Sequence, residues 1–171
     1  SKDNPYYALI EVTTQNLSSY TIHEDAKVIA GRAFYGCTPL ASIVIPDNVI
    51  SVGPRAFYCC TTLTSVVIGD NVTSIDERAF EWCRSLISVV IPDRVTSIGM
   101  CAFWYCDSLT SVVIGDNVTS IGGSAFGCCF SLTSIVIPDS VTSIGRSVFE
   151  GCTSLKDVYY TGTEAEWKEI S

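Results

Sequence analysis

The sequence has one histidine, His23, and no local cluster of Lys or Arg. Ten basic side chains stand against eighteen acidic ones, a formal charge of −8. A chain of that sign repels a phosphate backbone, so nucleic acid is not expected as a partner. No apolar run approaches the roughly 18–20 residues that span a bilayer, so no membrane insertion is expected. The start SKDNP has neither the charged nor the apolar segment of a signal peptide. Because the chain opens on Ser1 rather than Met, this bears little on its location. There are no paired CxxC motifs at structural zinc spacing, no spaced acidic loop of the calcium type and no phosphate-cradling glycine loop. With one histidine, in a turn of the first repeat, a Ser-His-Asp or Cys-His constellation would have to form at one end of the molecule. No enzyme activity, cofactor or metal is therefore expected.

What is present is a repeat. Six copies of 23 residues run from Leu17 to Ser154 without insertion or deletion, and a seventh begins at Leu155 and departs after Val158. They approximate L-x-S-[IV]-V-I-[PG]-D-x-V-x-S-[IV]-G-x-x-A-F-x-x-C-x-[ST], and positions below are numbered within this motif. Apolar residues at positions 4 and 6 alternate inward, as a short β-strand requires. Pro or Gly followed by Asp ends it. A second extended piece, VTSI, leads to a Gly at position 14 in four copies, which suggests a backbone with positive φ. The stretch x-x-A-F-x-x-C is too short for a regular helix and reads as one helical or 3₁₀ turn.

A single coil of this kind cannot bury its apolar side. Stacked at about 4.8 Å, the coils place Leu on Leu and Phe on Phe in continuous columns. The expected fold is a repeat solenoid, a leucine-rich arc with a parallel β-sheet on one face; a parallel β-helix is the rival, separated by counting strands per coil. Residues 1–16, with YYALIEV as a candidate edge strand, are expected to cap the start. Residues 155–171 are expected to close the other end with a helix whose N-cap is Thr163, whose capping-box partner is Glu166, and whose Trp167 folds over the last coil.

IPDSVTSIGRSVFEGCTSL at 137–155 and its five counterparts resemble the BspA-like, or Treponema-type, leucine-rich repeats of bacterial and protozoan surface proteins. The resemblance covers about residues 17–160, and the tail VYYTGTEAEWKEI is similar to the ends of repeat arrays in gut bacteria. It implies a surface-exposed or secreted module that binds protein, of the host or its extracellular matrix, usually within a longer chain. The first copy departs most, with His23 and Glu24 where Pro or Gly and Asp stand elsewhere.

Cysteine recurs at position 21 as Cys37, Cys60, Cys83, Cys106, Cys129 and Cys152, and beside the Ala-Phe pair it reads as a small apolar filler. In CAFWYCDSL at 101–109 the two cysteines suggest a redox or metal motif. Periodicity dissolves it: Cys106 belongs to the column and Cys101 is one coil's substitution at position 16. Cys59 and Cys128, at position 20, lie three coils or roughly 14 Å apart and read as free thiols. Asp47, Asp70, Asp93, Asp116 and Asp139 at position 8 are expected to accept backbone N–H bonds within their own turns; a row of cation sites is the alternative.

Two surfaces are candidates for a partner. Val44, Val67, Val90, Val113 and Val136 at position 5, flanked by the serines of position 3, would form an exposed apolar stripe on the sheet. Tyr35, Tyr58, Trp82, Trp104 and Tyr105 at positions 19 and 20 would form an aromatic edge beside Arg32, Arg55 and Arg78. A rigid spacer that binds nothing is the competing function, favoured by the uniform Val and Ser of the sheet.

Overall fold

The computed structural model describes residues 8–9 and 18–170. The cap expected over 1–16 thus lies outside the described residues, save Ala8–Leu9. Each coil contributes one longer and one two-residue strand. The longer set is β2 (Ser19–Thr21), β4 (Ser42–Ile45), β6 (Ser65–Ile68), β8 (Ser88–Ile91), β10 (Ser111–Ile114), β12 (Ser134–Ile137) and β14 (Asp157–Tyr160). The short set is β1 (Ala8–Leu9), β3 (Val28–Ile29), β5 (Ser51–Val52), β7 (Ser74–Ile75), β9 (Ser97–Ile98), β11 (Ser120–Ile121) and β13 (Ser143–Ile144). The short strands form one seven-stranded parallel sheet in sequence order; β2 to β10 form a second, of five strands, and β12 with β14 a pair. Register follows the repeat, Ser42 opposite Ser65 and Val44 opposite Val67, so identical positions stack. From β4 to β12 every longer strand is exposed, buried, exposed, buried along its four residues. That is the period of two that the S-[IV]-V-I pattern encodes.

The core lies between these ribbons and the strandless third side. Leu40, Leu63, Leu86, Leu109 and Leu132 are fully buried in one column. In another, Phe34, Phe57, Phe80, Phe103, Phe126 and Phe149 stack face to face, with ring centroids 4.8 to 6.2 Å apart and planes within 12°. Tyr20 closes the first end edge-on, 5.3 Å from Phe34. Burying one Phe stabilises by about 1.5–3 kcal/mol and an aromatic pair adds about 0.5–1.5 kcal/mol, so this column is a main source of cohesion between coils.

The third side carries half of a 3₁₀ pattern. The N–H groups of Ala56, Tyr58 and Cys60 bond three residues back, to Gly53, Arg55 and Phe57, while those of Arg55, Phe57 and Cys59 bond forward to Glu77, Ala79 and Glu81 of the next coil. Turns and inter-coil bonds therefore alternate, and no helix propagates. Left-handed backbone falls at positions 16 and 20 in all six copies, occupied by Gly only at Gly36 and Gly151. The expectation of positive φ at position 14 is thus corrected. The glycine there serves close approach instead: a Cβ on Gly99 would lie 2.5 Å from the backbone of Asp76 and Glu77, and one on Gly145 2.3 Å from Gly123.

At the far end α1 (Glu164–Glu169) starts at Thr163, whose side chain accepts from the Glu166 N–H while the Glu166 carboxylate accepts from the Thr163 N–H at 2.7 Å. The capping box is as read from sequence. Trp167 lies against the last coil, tilted onto Tyr160 at 5.3 Å, but stays 41% exposed, and no residue of α1 is buried. The short helix leans on the last strand and leaves a cavity of ≈ 410 Å³ lined by Val141, Tyr160, Ala165 and Ile170 among others.

Candidate functional site

The strand pleat fixes the first surface. Position 5 of each longer strand points away from the core, and Val44, Val67, Val90, Val113 and Val136 are between 48% and 60% exposed. Parallel register aligns them: Thr21 opposes Val44, Val44 opposes Val67, Val90 opposes Val113, and Val136 opposes Tyr159. Tyr159, 57% exposed, extends the row by one coil. Counting the motif on from Leu155 would have found it. Exposed serines border the row at position 3, and Ile87 stands exposed at position 2.

Beyond the strand ends run the exposed aspartates of position 8. The Asp47 carboxylate accepts the N–H of Asp70 at 2.9 Å, and that of Asp93 accepts the N–H of Asp116 at 3.3 Å. These bonds reach into the next coil, which corrects the expectation of bonding within each aspartate's own turn. Stacking in register brings the following turn's N–H as close as any local one. Among the described residues, no three His, Cys, Asp or Glu side chains come together as a metal site would require.

The aromatic residues separate into two groups. Tyr35 and Tyr58 stack at 4.9 Å, with Arg32 6.0 Å from the Tyr35 ring. Trp82 and Tyr105 stack at 4.5 Å, Trp104 tilts onto Tyr105 at 4.8 Å, and Phe130 meets Tyr105 edge-on at 6.0 Å. Glu81 interrupts the position-19 column between Tyr58 and Trp104. It is 1% exposed and accepts from the Trp82 indole N–H at 3.1 Å and from Arg78 at 3.3 Å. Burial pushes the Glu81 carboxyl above its usual range, against the lowering pull of Arg78. Arg78 also bonds Glu77 at 3.0 Å, and Arg55 pairs with Glu77 at 3.6 Å. The cation that covers Trp82 is Arg84, 4.5 Å from its ring, which the periodic reading did not single out. Tyr105 and Arg84 both cover the Trp82 ring, which reduces the surface it offers a partner. Gly127 leaves room for Trp104, since a Cβ there would lie 2.8 Å from the indole. Trp82, Trp104, Tyr105 and Tyr58 are half-buried, and Tyr35 is exposed.

The column cysteines are buried except for half-buried Cys152. From Cys60 onward each thiol donates to the Phe carbonyl of the preceding coil, for example Cys60 to Phe34 at 3.1 Å and Cys83 to Phe57 at 3.3 Å. Burial raises the thiols of Cys37, Cys60, Cys83 and Cys106, that of Cys60 to about 12. His23 lies in the first-coil turn, its Nδ1 accepting from the Asp25 N–H at 3.2 Å.

An uninterrupted stack of coils with an ordered, uncharged row of side chains along its longer strands defines a repeat solenoid. The model of the BspA type leucine rich repeat region matches in six copies, over residues 11–126 and 73–169. The chain belongs to that family, whose repeats are generally protein-interaction modules of bacterial surface proteins rather than enzymes. It is similar to a leucine-rich repeat protein of T. pallidum, with 30% identity and a TM-score of 0.85 over 89% of this chain and 73% of the other. A leucine rich cell surface protein from Faecalibacterium prausnitzii is 31% identical, with a TM-score of 0.64 over 91% of this chain and 35% of that one. The pneumococcal vaccine antigen PcpA, at 22% identity and a TM-score of 0.74 over 93% of this chain and 44% of its own, shares the fold. No curated protein sequence matches. No helix among the described residues is long and apolar enough to cross a membrane.

Proposed function

We propose that the chain is a protein-docking and adhesion module of a cell-surface or secreted protein, and that it binds host or extracellular-matrix protein through the face of its longer strands. The observation that carries this reading is the row Val44, Val67, Val90, Val113 and Val136, at least 48% exposed on strands β4 to β12, whose other Val and Ile side chains are buried. Isolated exposed apolar residues are ordinary; a contiguous aligned row is the kind of patch that marks interaction sites. The aromatic edge supports binding less well, because its rings largely cover one another.

The test is a binding screen against host extracellular and matrix proteins, repeated with Val90→Asp plus Val113→Asp and, separately, with Trp82→Ala plus Trp104→Ala. Both valines are exposed, so the first pair preserves the circular dichroism spectrum, while two aspartates opposite each other in register lower the melting temperature modestly. The expected result is at least a tenfold loss for the valine pair and no change for the tryptophan pair. The opposite pattern moves the site to the aromatic edge. A screen in which no protein binds leaves the molecule a spacer.

A further inference from the structure

The ribbon of longer strands loosens between β6 and β8 and breaks between β10 and β12. From these two junctions we propose that the molecule is articulated: three plates, carrying β2 to β6, β8 with β10, and β12 with β14, are joined by hinges that let the longer-strand face change its curvature. This holds whether or not that face binds a partner. β4 and β6 pair over all four residues, as do β8 with β10 and β12 with β14. β6 and β8 share only the pair of Ser65 with Ser88, and no pair joins β10 to β12. Position 2 marks the same junctions. The N–H groups of Thr64, Thr110 and Lys156 donate to the preceding coil at 2.9 Å and that of Ile87 at 3.2 Å, while that of Thr133 makes no such bond among the described residues. The Thr64 and Thr110 hydroxyls bond the same carbonyls at 3.0 and 3.1 Å. Position 8 agrees: the Asp47 and Asp93 carboxylates accept the N–H of Asp70 and Asp116, whereas the Asp139 N–H turns to the Thr161 hydroxyl at 2.8 Å.

The other two sides stay joined at both junctions. Across the first, the N–H groups of Thr96 and Gly99 donate to Thr73 and Ile75 at 3.0 and 2.8 Å, those of Phe80 and Trp82 to Ala102 and Trp104 at 2.8 Å, and Tyr105 stacks on Trp82. Across the second, Thr142 and Gly145 donate to Thr119 and Ile121 at 2.9 and 2.8 Å, Ser124 and Cys128 to Arg146 and Glu150 at 2.9 and 2.7 Å, and at the corner the Ser140 hydroxyl to Val118 at 2.8 Å. A junction held on two sides and open on the third turns about the held sides, as a hinge does. Position 7 sets which junctions close. Gly69 follows Pro46 and Gly115 follows Pro92 at closed ones, and a Cβ on either glycine would lie 2.6 Å from that proline's backbone. At the two loose ones Pro92 follows Gly69 and Pro138 follows Gly115, and proline carries the Cβ that this approach excludes. The end junctions lack that pairing. His23 precedes Pro46, where β2 and β4 pair over three residues, and Thr161 follows Pro138 and bonds Ile137 at 3.1 Å through the N–H that proline lacks.

The test needs no partner. Residual dipolar couplings of the backbone N–H groups, measured on the native protein in a weakly aligning medium, are expected to require a separate alignment frame for each plate. One frame that fits every coil overturns the articulation. Native-state hydrogen exchange reads the junctions themselves: the Thr133 amide is expected to exchange about a hundredfold faster than that of Thr110, with Ile87 between them and Thr64 as slow as Thr110. Equal protection of Thr133 and Thr110 means a continuous ribbon and also overturns the proposal. Two variants test position 7. Gly115→Ala puts a Cβ into a closed junction and is expected to speed exchange at Thr110 about tenfold while Thr64 is unchanged. Pro138→Gly removes one from a loose junction and is expected to slow Thr133 about tenfold. If neither amide responds in folded protein, position 7 does not set the plates, and that part of the proposal is wrong.

Discussion

A thiol that recurs once per coil illustrates how much a single residue type does here. In the column the cysteine side chain is a small buried filler, and its S–H supplies a second hydrogen bond to a Phe carbonyl that already accepts a backbone N–H. Phe57, for example, takes the Cys60 N–H at 3.2 Å and the Cys83 thiol at 3.3 Å. Ala would lack the donor. The role as filler was readable from the sequence, but the S–H bond was not, since its acceptor lies 26 residues away and is set by how coils stack. Burial keeps Cys83, and a hydrogen bond with Cys152 together with burial keeps Cys129, well above the usual thiol range and therefore unreactive. Cys152, at the end of the column, is half-buried; on ionising it gives up its bond to the Phe126 carbonyl and takes a hydrogen bond from the Cys129 thiol turned away from Phe103, which lowers it to about 7. A lowered value means the thiolate is abundant at pH 7 and lost as pH falls below it. Iodoacetamide is accordingly expected to modify Cys152 in the native protein at a rate that rises through a midpoint near pH 7, as read by mass spectrometry, with Cys83 and Cys106 untouched until unfolding. Equal labelling of Cys83 under native conditions would contradict the buried column.

At the scale of the element, the strands and the capping helix follow from local pattern, and the turns do not. S-[IV]-V-I has one solution on a half-buried sheet, and Thr163 with Glu166 has one at a helix start. The third side is different, because its alternate N–H groups bond to the next coil and its left-handed positions hold Arg, Cys, Trp, Tyr and Ser. Nothing in those residue types announces positive φ; the stacking imposes it. A side chain in that region costs roughly 1–2 kcal/mol, which glycine avoids at an entropic cost of roughly 0.5–1 kcal/mol. Ser124 has φ 55° and its neighbouring bonds, its N–H to Arg146 and its carbonyl from Gly127, are backbone only. Ser124→Gly is therefore expected to raise the urea midpoint by the equivalent of about 0.5–1 kcal/mol, and Ser124→Val to lower it by more, without change in m. The candidate site divides in the same way: the valine row was legible from strand alternation, whereas Arg84 over Trp82 and the buried Glu81 arise from packing between coils that no single copy encodes.

For the whole molecule, a coil meets only its neighbours, so stability is a chain of pairwise interfaces and is not uniform along it. In the middle, Phe80 is fully buried and stacks on Phe57 at 5.0 Å and on Phe103 at 5.3 Å, both nearly parallel. In the last full coil, Phe149 has one ring neighbour, Phe126 at 6.2 Å, and it shares partial burial with Ile144, Cys152 and Leu155. α1, with no buried residue, adds little cover there. Phe80→Ala opens a cavity between two interfaces and is expected to cost about 3–5 kcal/mol, while Phe149→Ala, already wet and one-sided, costs roughly 1–2 kcal/mol. Native-state hydrogen exchange is then expected to show protection that is highest around β6 to β10 and declines toward β13 and β14, with Phe149→Ala steepening that decline and leaving β6 unchanged. Phe80→Ala instead lowers protection on both sides of the third coil. If Phe149→Ala lowered protection in β4 and β6 as much as in β13, the array would unfold as one cooperative unit, and the nearest-neighbour account of its stability would be wrong.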